Sequence, residues 1–269
     1  MKLIKFERVV LIGMISIITL VSHAQEIELK SLAFNDQEKI TYGIYYNWKF
    51  VWIPAGEVSF VVKDKEDHFE FEVTGKSYSS YDSFFKVRDN YVSRVNKNTL
   101  APINFRRDIL EGNYCIYDSI SFEQDGVVEE FFGKSKAKAK RHKFEIECKL
   151  LDMVSCIYYL RSLSLNEMKR DTKIPFKIFF DKELFELDVI FRGEEKVKIK
   201  NIGRVDTWHI QPELIDGYVF KKGDVMNIWT SKDQNKIPLL IESPISYGSI
   251  KAVLKSAKGL AFPFDYKLD

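Results

Sequence analysis

The strongest constraint in this chain is a period of two. Between residues 41 and 52 the even positions are Tyr42, Ile44, Tyr46, Trp48, Phe50 and Trp52, and the odd ones are Thr41, Gly43, Tyr45, Asn47, Lys49 and Val51. Successive side chains of a strand point to opposite faces, so this run predicts a strand with one strongly apolar face. Pro54 interrupts the ladder and Gly56 follows. Val58, Phe60 and Val62 then share a face opposite Glu57, Ser59 and Lys63, and after the polar turn Asp64–Asp67 so do Phe69, Phe71 and Val73. Three such runs with short polar turns predict an antiparallel meander.

The pattern recurs down the chain. Ile116, Ile120 and Phe122 alternate with mostly polar residues, as do Phe144, Ile146 and Cys148. Phe185, Leu187, Val189 and Phe191 form a further face, followed by Val197 and Ile199. Val225, Asn227 and Trp229 alternate with Met226 and Ile228, which predicts burial on both sides, and runs at 239–241 and 250–254 complete the series. One segment breaks the period. Leu151–Leu163 reads as a helix, with Asp152 as N-cap or first-turn acid and Val154, Ile157, Tyr158 and Arg161 at helical spacing. Such a helix is expected to plug or cover an open side of a curved sheet. A second short helical turn is expected over Tyr81–Arg88. The predicted class is all-β, mainly antiparallel: a large meander or barrel-like sheet with one principal helix near 152–163. No linker divides the chain, so 25–269 reads as a single domain whose strand-rich halves, about 40–148 and 174–255, flank the helix.

Residues 1–24 read as a secretory signal peptide. Lys2, Lys5 and Arg8 precede a short apolar run, Val9–Val21, and Ser22-His23-Ala24 supplies small residues for cleavage before Gln25. No Cys follows that run to take a lipoprotein anchor, and the mature chain has no apolar run that predicts a membrane-spanning helix. The predicted location is outside the cytoplasm, periplasmic or associated with an outer membrane. Removal of this segment takes three basic residues from 41 and one acidic residue from 39, leaving 38 of each. A neutral mature chain is a poor candidate for nucleic-acid binding, which rests on neutralising phosphates.

The motifs of known chemistry are sparse. The mature chain keeps three Cys (Cys115, Cys148 and Cys156) and three His (His68, His142 and His209), without CxxC or HExxH spacing, so neither a disulfide framework nor a metal site is predicted. The thiols read as small buried hydrophobes. Asp233-Gln234-Asn235 starts like a calcium loop but lacks the following Gly and distal Glu, and a β-turn is the simpler reading. Ser nucleophile elbows, phosphate loops and dinucleotide fingerprints do not occur, and no cofactor is implied. The basic run Lys134–Lys143 fits either a surface for anionic glycan or lipid, or a charged edge strand that resists sheet-to-sheet pairing.

Several patterns in order carry a family resemblance: Tyr42–Gly56 (YGIYYNWKFVWIPAG), Val87-Arg88-Asp89, Asp152–Arg161 (DMVSCIYYLR), Asn227–Pro238 (NIWTSKDQNKIP) and Gly248–Leu254 (GSIKAVL). Together they resemble DUF3108, a family of exported bacterial proteins of unknown function, over about residues 40 to 255. The resemblance implies a barrel-like antiparallel fold and, beyond that, no activity and no catalytic residue.

Two functions follow as expectations. The first is a non-enzymatic binding or interaction module for a lipid, a glycan or an envelope partner protein. The second is a hydrolase of envelope polysaccharide, which needs two carboxylates facing each other at roughly 5–9 Å. The expected ligand site combines Trp48 and Trp52 as stacking area with Arg88 and Asp89 as hydrogen-bonding charge. The alternatives are an aromatic stripe that is plain core, and an Arg88–Asp89 pair that braces a turn. For the export signal, mass spectrometry of the secreted protein should show a chain that begins at Gln25; a chain that keeps Met1 would overturn the predicted location.

Overall fold

A computed structural model describes residues 31–267 apart from 49–50, 84, 124, 215–222 and 246–247; the side chains of Trp48 and Ile245 are also outside the description. The segment 1–24 read as a signal peptide, the cleavage site expected before Gln25, and Phe50 therefore lie outside the described residues. Among the described residues fourteen strands form one antiparallel sheet. The first eight are β1 (Lys39–Trp48), β2 (Val51–Asp64), β3 (His68–Ser77), β4 (Arg88–Asn96), β5 (Pro102–Glu111), β6 (Tyr114–Phe122), β7 (Val127–Gly133) and β8 (Lys140–Glu145). A helix, α1 (Ser155–Arg161), leads to β9 (Thr172–Phe180), β10 (Glu183–Ile199), β11 (Gly203–Pro212), β12 (Asn227–Ser231), β13 (Pro238–Ile245) and β14 (Gly248–Lys258).

Each strand pairs with its neighbour in sequence within two meanders, β1–β8 and β9–β14, and the meanders join where β1 pairs with β14. The sheet edges are β8 and β9. The basic run splits between a short 3-10 turn, Lys136–Lys138, and edge strand β8. Charge on an exposed edge discourages pairing with another sheet.

The structure corrects the reading of 41–52 as one strand. Trp48 pairs with Val51, so the chain reverses there and Trp52 belongs to β2. Pro54, read as a strand end, lies inside β2 opposite Tyr45, where the register slips. A bulge tolerates a residue that has no N–H to give the ladder. Ile44 and Tyr45, on either side of the slip, both pack against the core. Gly56 is there because β3 comes close: a Cβ would sit 2.3 Å from the Lys76 carbonyl oxygen. The turn expected over Tyr81–Arg88 shrinks to turns around 79–83, and β4 begins at Arg88.

The helix is shorter than 151–163, and its start is fixed by a buried acid. Asp152 Oδ1 accepts from the N–H groups of Val154 (2.7 Å) and Ser155 (2.8 Å), and Oδ2 accepts from the Ser93 hydroxyl on β4 (2.6 Å). At the other end Arg161 is buried. Its Nη1 and Nη2 donate to Glu38 Oε1 (2.7 Å) and Oε2 (2.9 Å), Nη2 also to Ala33 O (2.8 Å), and Nε to Asn235 O (3.0 Å). The Asn235 amide in turn donates to Phe262 O and Pro263 O and accepts from Phe262 N–H.

The two edges approach each other across α1. Leu151 bridges Ile178 of β9 in parallel sense, and the Phe144 and Phe179 rings lie 5.1 Å apart. The tip of the β9–β10 hairpin, Asp181-Lys182, has positive φ at both residues and rests on the first meander. Arg107 pairs with both Asp118 (3.1 Å) and Asp181, the Lys182 N–H donates to Glu130 Oε1 (3.2 Å), and the Lys182 ammonium lies 4.5 Å from the Phe132 ring centroid. Asp118 and Glu130 are fully buried on neighbouring strands, and Asp118 Oδ1 and Glu130 Oε2 are left without a hydrogen-bond partner. Burial pushes both carboxyls up, and Asp118 pushes Glu130 up further.

Two predictions follow from these contacts. Removing one partner of a buried ion pair costs about 3–5 kcal/mol, so Glu38→Gln should lower the denaturant midpoint strongly; an unchanged midpoint would contradict the role of the pair. At the hairpin tip, the folded state keeps a proton that the unfolded chain releases above about pH 4. The stability from the Asp118–Glu130 pair is therefore full below that pH and lost as pH rises through the raised folded-state values. Glu130→Gln should flatten the fall of the urea midpoint with rising pH, and an identical pH slope in the variant would refute the raised Glu130 carboxyl.

Candidate functional site

Helix α1 divides the interior unequally. On the side of the first meander the core is aromatic and filled. Phe34 meets Phe69, Phe71 and Tyr158 edge-on with ring centroids 5.2 Å apart, and Phe71 stacks on Tyr158 at 3.8 Å. On the side of the second meander lies a cavity of about 330 Å3, within the range of roughly 300–1,000 Å3 typical of ligand pockets.

The cavity walls come from alternation. Phe176 and Ile178 of β9 face it, with Lys173 and Lys177 on the other side of that strand; Leu187 and Val189 of β10 continue the wall. Ile210, Ile228 and Ile241 extend it across β11, β12 and β13, and Ile40 and Tyr42 bring in β1. Ile157 and Leu160 of α1 form the roof. Among the lining residues the polar groups are few: Thr230, Arg161, Lys236 and Glu213, the hydroxyls of Tyr42 and Tyr158, of which the Tyr158 hydroxyl is buried without a hydrogen-bond partner, and the thiol of Cys156. Burial pushes that thiol up to about 12, so it is not a ready nucleophile.

The charged groups are segregated. Met226 precedes β12 and Lys236 follows it, so they mark opposite ends of a five-residue strand, roughly 17 Å apart. Pro212, Glu213 and Leu214 belong to the Met226 end, where Glu213 accepts from the Asp188 N–H (2.9 Å). Arg161 meets the turn that carries Lys236 through the Asn235 carbonyl. That turn is the segment resembling a calcium loop: Asp233 Oδ1 accepts from the Ser231 hydroxyl and the N–H groups of Asn235 and Lys236. It is a turn capped by a carboxylate, and among the described residues no cluster could hold a metal ion.

The four residues expected to form a site are not brought together. Trp52 sits near the β1–β2 turn, 37% exposed, with the Lys251 ammonium 4.5 Å from its ring centroid. Asp89 pairs with Gly75, which pairs with Val58, six residues along β2 from Trp52, or about 20 Å. Arg88 bonds to Asp82 and the Ser77 hydroxyl, which braces the turn before β4. Burial pushes the Asp89 carboxyl up to about 6, and the neighbouring Glu111 adds to the shift. Trp52, Arg88 and Asp89 do not line the cavity, and the Trp48 side chain lies outside the description.

The residues that do build the site escaped sequence reasoning in part. Leu187 and Val189 stand on a face legible from alternation. Arg161 carried a signal, since a charged residue on the apolar stripe of a helix must find a buried partner. Lys236 and Glu38 carried none. A second depression, lined by Arg204, Asp206, Lys232, Asp233 and Asp265, is larger at about 650 Å3. Its mixed charges and breadth make it a surface groove. All three cysteines are free and partly buried.

Fold and cavity together define an antiparallel β-barrel-like protein with an internal helix and an apolar chamber on one side of it. The family model for DUF3108, proteins of unknown function, matches residues 41–255, and the chain belongs to that family. Among solved structures, a β-barrel-like protein of the domain of unknown function DUF1849 from Brucella abortus is 9% identical, with a TM-score of 0.54, covering 82% of this chain and 96% of its own. That likeness concerns the fold alone. A protein of YmcC-like fold from Bacteroides fragilis is 10% identical with a TM-score of 0.36, covering 85% of this chain and all of its own. No curated protein matches the chain. Among the described residues no helix is long and apolar enough to cross a membrane.

Proposed function

We propose that this protein is an exported binding module of the cell envelope that holds an apolar, acyl-chain-like ligand in the chamber beneath α1. The observation that carries this reading is the lining. A cavity of about 330 Å3 is walled mostly by branched aliphatic and aromatic side chains from seven strands and a helix, with few polar groups among them. A sugar needs several convergent hydroxyl, amide or carboxylate partners, whereas a hydrocarbon chain needs what these walls offer. Of the expected ligand classes, lipid is therefore the one the chamber fits. The signal-peptide reading of residues 1–24 supports the location outside the cytoplasm.

Polysaccharide hydrolysis finds no support in the carboxyl pairs. Neither Asp118–Glu130 nor Asp89–Glu111 lines the chamber, so neither pair faces a ligand held there.

The test is to fill the chamber from inside. A fluorescent probe that brightens in apolar surroundings should bind the purified protein saturably. Ile228→Trp, which projects an indole into the chamber, should weaken that binding at least about tenfold while circular dichroism keeps the native strand signal, the factor expected when about 1.4 kcal/mol of contact is lost. Equal binding by the variant would place the ligand elsewhere.

A further inference from the structure

The two ends of the chamber differ in charge, and the difference specifies the ligand. We propose that the chamber takes an amphiphile with one anionic terminus, the chain lying along the apolar walls and the anion held by Lys236. This rests on the reading of the chamber as an acyl-chain site.

The positive end contains two cations in different states. Arg161 is satisfied: four of its five N–H groups are engaged by the Glu38 carboxylate, Ala33 O and Asn235 O, and Glu38 neutralises its charge. Lys236 is not. Its ammonium donates to the carbonyl of Gln234 (3.3 Å), and no carboxylate of the described residues lies within ion-pair distance. Asp233 attracts it from beyond that distance; its Oδ1 is committed to the turn and its Oδ2 is buried without a hydrogen-bond partner. Glu213 lines the far end of the chamber.

The backbone holds this lysine in place at a cost. Lys236 has φ 47°, the left-handed region, where a residue with a Cβ is disfavoured by roughly 1–2 kcal/mol. Gly or Asn would take that position more easily. The chain instead puts a half-buried cation there, on the wall of an apolar chamber and beside a second cation. Burial, with the positive charge of Arg161, pushes the ammonium down. An anion at this point would supply the missing partner, and hydrogen bonds to a charged partner are roughly twice as strong as neutral ones.

A fatty-acid carboxylate and an alkyl phosphate share this chemistry, and probes of one chain length separate them. Dodecanoate, dodecyl phosphate and dodecanol are each titrated against the bound fluorescent probe in the full mature chain. The inference expects at least one anion to displace the probe about tenfold better than the alcohol, and the better anion identifies the headgroup. Lys236→Met should bring that anion to within about twofold of dodecanol without changing dodecanol itself, and Lys236→Arg should keep the preference; tenfold corresponds to one such charged contact. Equal displacement by all three in the wild-type protein, or an equal loss for all three in Lys236→Met, overturns the role of Lys236 and leaves the chamber as an acyl-chain site. Displacement by none of them overturns the chamber reading itself.

Discussion

Everything in the interior is referred to one ion pair, Arg161 with Glu38. The helix carrying Arg161 has only seven residues, too short to be stable alone in water. Its position comes from outside. Through one guanidinium it is tied to the segment before β1, through Ala33 and Glu38, and to the β12–β13 turn, through Asn235. Asn235 extends the link to the segment after β14 at Phe262 and Pro263. Regions more than a hundred residues apart thus converge on one side chain. A buried pair of this kind adds little net stability against an apolar replacement, but it is costly to break. Its effect here is to fix where the helix lies.

The position of the helix then determines the interior. Two meanders joined at β1 and β14 leave β8 and β9 as free edges. Both are managed locally. β8 is basic, and Leu151 bridges β9 just before the helix begins. The tip of the β9–β10 hairpin is held to the first meander by Arg107 and the paired carboxyls of Asp118 and Glu130. The two halves therefore meet through side chains where a closed barrel would have a ladder of backbone bonds. That arrangement couples closure to protonation, because the carboxyl pair is stable only while it keeps a proton.

The strands were legible because alternation is a local signal that burial enforces residue by residue. Phe69, Phe71 and Val73, or Leu187 and Val189, could be assigned to an inner face without any knowledge of what lay opposite. The errors fell where local rules compete. The chain reverses between Trp48 and Val51, inside its aromatic run, and a bulge opposite Tyr45 keeps Pro54 within β2. The helix was overextended because Leu151 has an apolar residue's helical spacing yet pairs with β9. The site was the least legible part. Glu38 and Lys236 gain their meaning from partners 123 and 75 positions away from them or their turn, contacts that no periodicity encodes. Trp52 is a large ring that stays 37% exposed, and ring size alone does not separate a wall from a rim.

One trace of the chamber does lie in the sequence, in the kind of apolar residue each half employs. The first meander closes on Phe34, Phe69, Phe71, Phe105 and Tyr158, rings that bury roughly 150–250 Å2 each and fill the space between facing strands. Around the chamber the second meander presents Ile178, Leu187, Val189, Ile210, Ile228 and Ile241. These side chains are smaller and stiffer, and they reach less far from the sheet. Across a span that the first half fills with rings, they leave a bore. Filling it would have required only larger aliphatic or aromatic residues at a few inward positions, a change cores accept when volume demands it. A cavity of about 330 Å3 lined this way would cost on the order of 8 kcal/mol if it were a sealed void, at roughly 24 cal/mol per Å3. That is comparable with the whole stability of an ordinary domain, about 5–15 kcal/mol. Branched aliphatic residues at many of the facing positions, under a helix whose place is fixed by a buried ion pair, keep the chamber open beside the rings of Phe176 and Tyr42.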